Sequence, residues 1–343
     1  MEKRVSLKDI AQKVGVSIAL VSYVLNNQKE GRISKEVAEK IRQTAHKLNY
    51  RPNQIAKSLK TNKTFTIGLI VADIANPFFS TLARIIEDEA EKANYTVIFG
   101  SSDEKAERSQ KLLEVMIDRH VDGIIIAPAE DTESQIRSLK KRGIPFVLID
   151  RCFPGIKAAY VGVNNFEAAY EATMHLVRGG RKRIGMIGFQ TTIRTLHDRK
   201  KGFCKALEES GVKLLANDIQ EVSVDATKEE VQAAIQRLLA LPKPIDALFF
   251  ASNKLSTYGL KYINSLSLKV PDDLFLCSFD QSEATDLFYA PLTHIRQPLM
   301  QMGTEAVNLL LQLMQNNKKA RELHLPAELV IGQSTGKTRK MGK

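Results

Sequence analysis

The chain of 343 residues has no tryptophan, three cysteines and six histidines. Cys152, Cys204 and Cys277 are odd in number and far apart, which excludes a disulfide framework and a thiolate metal site. The scattered histidines add no zinc spacing, so no metal or cofactor is expected. No apolar run approaches the roughly 18 residues of a membrane span. The opening stretch MEKRVSLKDIAQK lacks the apolar centre of a signal peptide. A cytoplasmic protein with no membrane partner is therefore expected. A nucleophile elbow, a dinucleotide fingerprint and a complete phosphate loop are also missing. GQSTGKT at 332–338 has three residues between its glycines where that loop needs four, and no helix can follow it before Lys343.

What is present is positive charge, unevenly placed. The net charge is +11, and residues 1–63 hold 14 Lys and Arg against 5 Asp and Glu. The last seven residues, 337–343, add four more cations, which leaves a net of −2 on the other 273. A basic head and a basic tail on a near-neutral body imply a nucleic-acid partner for the head and a separate task for the body.

The head reads as three short helices. Ser6 with Asp9 forms a capping-box variant, and Leu7, Ile10, Ala11 and Val14 recur at the spacing of one buried face. Gly15 supplies a turn, and Ser17 caps a second helix. On that helix Leu20, Val21, Val24 and Leu25 share one side, and Ile18, Ala19, Ser22, Tyr23 and Asn26 share the other. A third helix runs from Ser34 to about Leu48. Two helices joined by a tight turn and backed by a third make a helix-turn-helix. Ile18 and Ala19 suit thymine methyls, and Ser22 and Asn26 suit base edges. Arg4, Lys8 and Arg32 suit phosphates.

The next segment, NYRPNQIAKSLKTNK, carries Pro52, which stops the preceding helix, and Asn53, which can cap a new one reaching about Leu59. Seven residues are too few for a stable isolated helix, so this one needs a partner to form. Together, VSLKDIAQKVGVSIALVSYVLNN and ISKEVAEKIRQTAHKLNYRPNQIAKSLKTNKTFTIGLIV resemble the lactose-repressor/galactose-repressor (LacI/GalR) family of bacterial transcription regulators, and the resemblance covers nearly the whole chain. It implies paired hinge helices in the minor groove, with Leu59 as an apolar wedge in the central base step and Lys57 and Lys60 near phosphates. The DNA-contacting set it implies is Leu7, Ser17, Ile18, Ala19, Ser22, Tyr23, Asn26, Arg32, Asn53, Ala56, Lys57, Leu59 and Lys60. Leu20 and Tyr23 depart from the Thr and Arg of many members. Tyr cannot make the bidentate guanine contact of Arg, so the operator differs from theirs.

From Phe65 onward, apolar runs (FTIGLIVA, YTVIFG, VDGIIIAP, IPFVLID, RIGMIGF, IDALFFAS, LFLCSFD) alternate with helical stretches. This is the pattern of doubly wound parallel sheets, and its length suits two lobes. A ligand is expected at the carboxyl ends of the strands, between the lobes. Asn76, Phe78, Phe79, Asp150, Arg151, Arg199, Asn253, Phe279, Asp280 and Gln297 fall at those ends. Aromatic faces suit sugar C–H faces, and carboxylates, guanidinium groups and amides suit adjacent hydroxyls. The body is also similar to periplasmic sugar-binding proteins of the ribose type, whose pocket pattern N-P-F-F, D-R, R-x-x-G-F, strand-end Asn, F-D and late Gln recurs here. Ala127 and Lys254 depart from it, standing where Asn and Asp are usual.

The expected architecture is an all-α helix-turn-helix headpiece over 1–50, a hinge over 51–63, a periplasmic-binding-protein-like α/β core over 64–336 and a basic tail over 337–343. By analogy the first lobe takes 64–161 with 293–324, and the second takes 162–292 with 325–336. The expected function is a transcriptional repressor. It would bind double-stranded operator DNA as a homodimer, with its affinity set by a monosaccharide-like effector in the core. An enzyme using Asp150, Asp280 and His197 would leave the head unexplained, and a constitutive architectural protein would leave the cleft unexplained.

Overall fold

The computed structural model describes residues 5–26, 33–50, 63–315 and 320–336. The chain divides into two compact units, 1–64 and 65–343. The expected hinge contacts Asn53, Ala56, Lys57, Leu59 and Lys60 lie outside the described residues, as do Arg32 and the tail 337–343.

The first unit holds α1 (Leu7–Val14), α2 (Ile18–Leu25) and α3 (Lys35–Lys47). The Ser6 hydroxyl accepts the Asp9 N–H, and the Asp9 carboxylate accepts the Ser6 N–H at 2.8 Å, closing the capping box. Gly15 ends α1 at φ 79°, a left-handed conformation that favours glycine. Ser17 Oγ accepts the Leu20 N–H, and Ser34 Oγ accepts the Val37 N–H. Ile10, Ala11, Val21, Val24, Ile41 and Ala45 are the buried centre, with Leu7, Leu20 and Leu25 half-buried against it.

The second unit contains two six-stranded sheets. Its strands are β1 (Thr66–Val71), β2 (Thr96–Ser101), β3 (Gly123–Ile126), β4 (Phe146–Ile149), β5 (Ala159–Val163), β6 (Ile184–Phe189), β7 (Ile219–Val222), β8 (Ala247–Phe250), β9 (Phe275–Phe279), β10 (Thr293–Arg296), β11 (Glu322–Leu325) and β12 (Glu328–Val330). The first sheet runs β11-β5-β4-β3-β1-β2, and the second runs β12-β10-β9-β8-β6-β7. Every pairing is parallel except β10 with β12. β1, β3, β4, β8 and β9 are apolar and buried almost end to end, as strands covered on both faces must be.

The covering helices are α4 (Pro77–Lys92), α5 (Ala106–Asp118), α6 (Glu133–Lys141), α7 (Asn165–Arg178), α8 (Arg194–Glu209), α9 (Lys228–Leu239), α10 (Asn253–Ile263), α11 (Glu283–Leu287) and α12 (Leu299–Met314). α7 and α8 lie very close. A Cβ on Gly202 would sit 2.2 Å from the Phe166 carbonyl oxygen, so only glycine permits this approach.

The expected lobe boundaries need one correction. β10 pairs with β9 through Thr293↔Cys277 and Ile295↔Phe279, so residues 293–296 belong to the second lobe. The chain returns to the first lobe only after Arg296, where α12 packs on α4. Within 332–336, Ser334 and Thr335 are buried. Ser334 Oγ donates to the Leu276 carbonyl at 2.6 Å, and Thr335 bonds Thr293 and His175. These residues seal the second lobe, and their hydroxyls are spent doing so.

Candidate functional site

Strand ends, and the loops that leave them, build a cleft between the two sheets. After β1, Asn76 caps α4 by accepting the Phe78 N–H at 3.0 Å, and Pro77 takes the first helical position. This places Phe78 and Phe79 edge to face, centroids 4.9 Å apart. Asp103 and Glu104 follow β2, and Asp150 and Arg151 follow β4. Arg199 comes from α8, three residues before Gly202. Asn253 opens α10 behind its cap Ser252, Asp280 ends β9, and Gln297 follows β10. Asp103, Glu104, Asp150 and Asp280 all have positive φ (48°, 58°, 64° and 70°), a conformation uncommon for non-glycine residues and concentrated here around one cavity.

Nine of the ten sequence-derived residues line this cleft, which encloses about 830 Å³ partly open to solvent. The tenth, Phe279, is fully buried behind it and does not face it. It supports the Arg199 guanidinium, which lies 3.6 Å from its ring centroid. His197 lines a separate surface groove on α8, so no triad with Asp150 and Asp280 is assembled.

The electrostatics are tightly connected. Arg151 holds Glu104 with both terminal nitrogens, at 2.6 and 2.7 Å, and has Asp150 at 3.5 Å. Arg199 donates to Asn165 Oδ1 and the Ala251 carbonyl, each at 2.8 Å, and lies 3.5 Å from Asp280. Gln297 donates to Asp280 at 2.5 Å. Burial pushes the Asp150 carboxyl up to about 6, against the opposing pull of Arg151 and Arg199. Burial also raises Asp280, although Arg199 and Gln297 oppose it. Lys254 points its ammonium at the Val224 carbonyl, 2.8 Å away.

Two contacts bridge the lobes. Asn253 Nδ2 donates to Asn76 Oδ1 at 2.7 Å inside the cleft. At its edge, the Thr192 amide and hydroxyl both donate to Glu130 Oε1 at 2.6 Å, and the Thr191 hydroxyl donates to Oε2 at 3.2 Å. Burial works to raise the Glu130 carboxyl, but these donors hold it below its usual value. Sequence reading missed Glu104 and Glu130. Glu104 carried a faint signal in lying just past an apolar run, whereas nothing local connects Glu130 with threonines some sixty residues away.

In the first unit, Ile18 is 48% exposed, and Ala19 and Asn26 are exposed beside half-buried Ser22 and Tyr23. An exposed isoleucine at the start of a helix whose other face is core fits a surface made for contact. The Ser17 hydroxyl caps its own helix, and the Asn26 amide donates to the Ser22 carbonyl at 2.8 Å. Leu7 packs on the small core.

Comparison with known proteins places both units. Residues 6–53 match the model described as bacterial regulatory proteins, lacI family, and residues 173–335 match the periplasmic binding protein-like domain. The ribose operon repressor of Halalkalibacterium halodurans is 32% identical over 333 residues, covering 96% of this chain and 97% of that protein. The HTH-type transcriptional repressor CytR of Escherichia coli (strain K12) is 32% identical over 340 residues, 97% of each. Among solved structures, the lac repressor dimer bound to operator and the anti-inducer ONPF superposes with a TM-score of 0.86. At 22% identity it covers 97% of this chain and all of that one, which shows a shared fold.

Proposed function

The chain belongs to the lacI family of bacterial regulatory proteins, and from that premise we propose that a sugar or sugar-containing effector in the core cleft sets its affinity for a palindromic operator. It is a DNA-binding transcriptional repressor under small-molecule control, not an enzyme. The observation that carries the effector reading is the convergence of nine polar and aromatic side chains from separate strand ends on one cavity. Phe78 and Phe79 supply an apolar wall, and Asp150, Arg199, Asn253, Asp280 and Gln297 supply hydrogen-bonding groups around it.

The mechanism follows from the two bridging contacts. An effector that touches both lobes adds to the Asn76–Asn253 and Glu130–Thr192 bonds, so it favours the closed arrangement. It shifts the DNA-binding equilibrium only by its differential affinity for closed and open states. In the head, Ile18, Ala19, Ser22, Tyr23 and Asn26 read the major groove while Leu59 wedges the minor groove. One head reads one half-site, so two copies are needed. Phe99 on edge strand β2, Val115 on α5, and Leu287 and Tyr289 in the second lobe are exposed apolar side chains that a second copy would cover. The protein works on the chromosome, hence in the cytoplasm. Among the described residues no helix is long and apolar enough to cross a membrane.

The test is thermal denaturation of the full chain with mono- and disaccharides and nucleosides. A ligand of the folded state raises the melting temperature, and Arg199→Ala should abolish that rise. A rise that persists in the variant would place the effector elsewhere.

A further inference from the structure

The cleft is built to accept hydrogen bonds rather than to neutralise a charge. Its lining carries six carboxylates, Asp73, Asp103, Glu104, Asp150, Asp225 and Asp280, against three cations, Arg151, Arg199 and Lys254. All three cations are already engaged. Arg151 spends both terminal nitrogens on Glu104, Arg199 is tied to Asn165, Ala251 and the Phe279 ring, and Lys254 donates to the Val224 carbonyl. A phosphate would need an open guanidinium fork or ammonium, and among the described residues the cleft has none.

The unfilled positions are oxygens. Asn76 Oδ1 is fixed as an acceptor because it takes the Phe78 N–H. Asn253 must therefore turn its amide nitrogen toward it, and this leaves Asn253 Oδ1 buried and without a partner. Asp280 likewise takes the Gln297 nitrogen, leaving Gln297 Oε1 buried and unpaired. Both residues are more than nine-tenths buried, at 1% and 6% exposure. The Asp150 carboxylate accepts no hydrogen bond, and its nearest polar neighbour is Arg151 Nε at 3.5 Å. Unpaired buried acceptors are costly, and a donor that meets them recovers that cost.

Resting on the proposed cleft reading, we infer that the effector is an uncharged polyhydroxylated molecule, a free sugar or nucleoside whose hydroxyls donate to Asp150, Asn253 and Gln297, and that phosphorylated sugars and nucleotides are rejected. Net negative charge repels an oxyanion, and oxygen acceptors give it nothing to bind. Rejection by like charge is as much a part of specificity as attraction.

Isothermal titration of the full chain tests this with D-ribose, D-glucose, cellobiose, adenosine and their congeners, each paired with its phosphate monoester. The expected result is that an uncharged member binds and its ester binds about tenfold more weakly or worse. Asp150→Asn should weaken the uncharged ligand and strengthen the ester, because it removes an acceptor and a negative charge together. Gln297→Leu should weaken the uncharged ligand alone. An ester that binds as tightly as its parent, or tighter, overturns the inference and leaves the cleft reading standing. A panel in which nothing binds overturns the cleft reading and the inference with it.

Discussion

Asp150 shows how one side chain can trade stability for function. Its pKa of about 6 lies above the ordinary carboxylate value, so the folded protein holds more protons than the unfolded chain between about 4 and 6. Keeping it ionised at pH 7 costs up to about 3 kcal/mol, a cost that falls as pH drops through 6. Asp150→Asn should therefore raise the urea midpoint of the ligand-free protein at pH 7 while removing the effector response. Hydroxyl donors favour the ionised form, so effector affinity in the wild type should weaken as pH falls below about 6, followed by titration calorimetry between pH 5 and 8. An affinity independent of pH over that range would remove Asp150 from the site. The identity of these residues was legible in the sequence because strand-end positions follow from apolar runs. Phe279 was misplaced because an aromatic before a strand-end Asp can face the cleft or back it, and sequence does not record side-chain direction. The Glu104–Arg151 pair was invisible because its partners lie 47 positions apart.

At the scale of elements, the seven apolar runs each became a strand, and the five that were not read share a cause. β7, β11 and β12 are at or beside sheet edges, where one side needs no apolar cover. β10 reads as THIR, too polar to stand out. β5 is only five residues long and ends next to Asn164 and Asn165. Missing β10 is also what misplaced the lobe boundary. The bridging loops support a prediction of their own. Glu130 meets three donors from Thr191 and Thr192, and none of these three residues lines the cleft. Thr192→Val removes one hydroxyl donor from the closed arrangement and should weaken effector binding by up to about tenfold with little change in melting temperature. An unchanged dissociation constant would show that this contact does not set closure. The hinge segment carries the other element-scale expectation. Leu59→Ala should reduce affinity for the specific operator while sparing most salt-sensitive non-specific binding, as read by filter binding on operator and random duplexes. Equal losses on both duplexes would remove the wedge.

For the whole molecule, the division into a basic head and a near-neutral body was already written in the charge distribution, and the two compact units follow it. What the sequence left open is how the cleft is wired. Three engaged cations, several unpaired oxygens and two bonds across the lobes emerge only when distant strand ends meet. The account rests on coupling between that cleft and operator affinity, and fluorescence anisotropy of labelled operator against effector concentration measures it directly. In the wild type, saturating effector should change operator affinity by about 5- to 150-fold. Asp280→Ala should bind operator as the ligand-free wild type does and show no change with effector. An Asp280→Ala protein that responds like the wild type, or a wild type whose operator affinity ignores a ligand that fills the cleft, would contradict it.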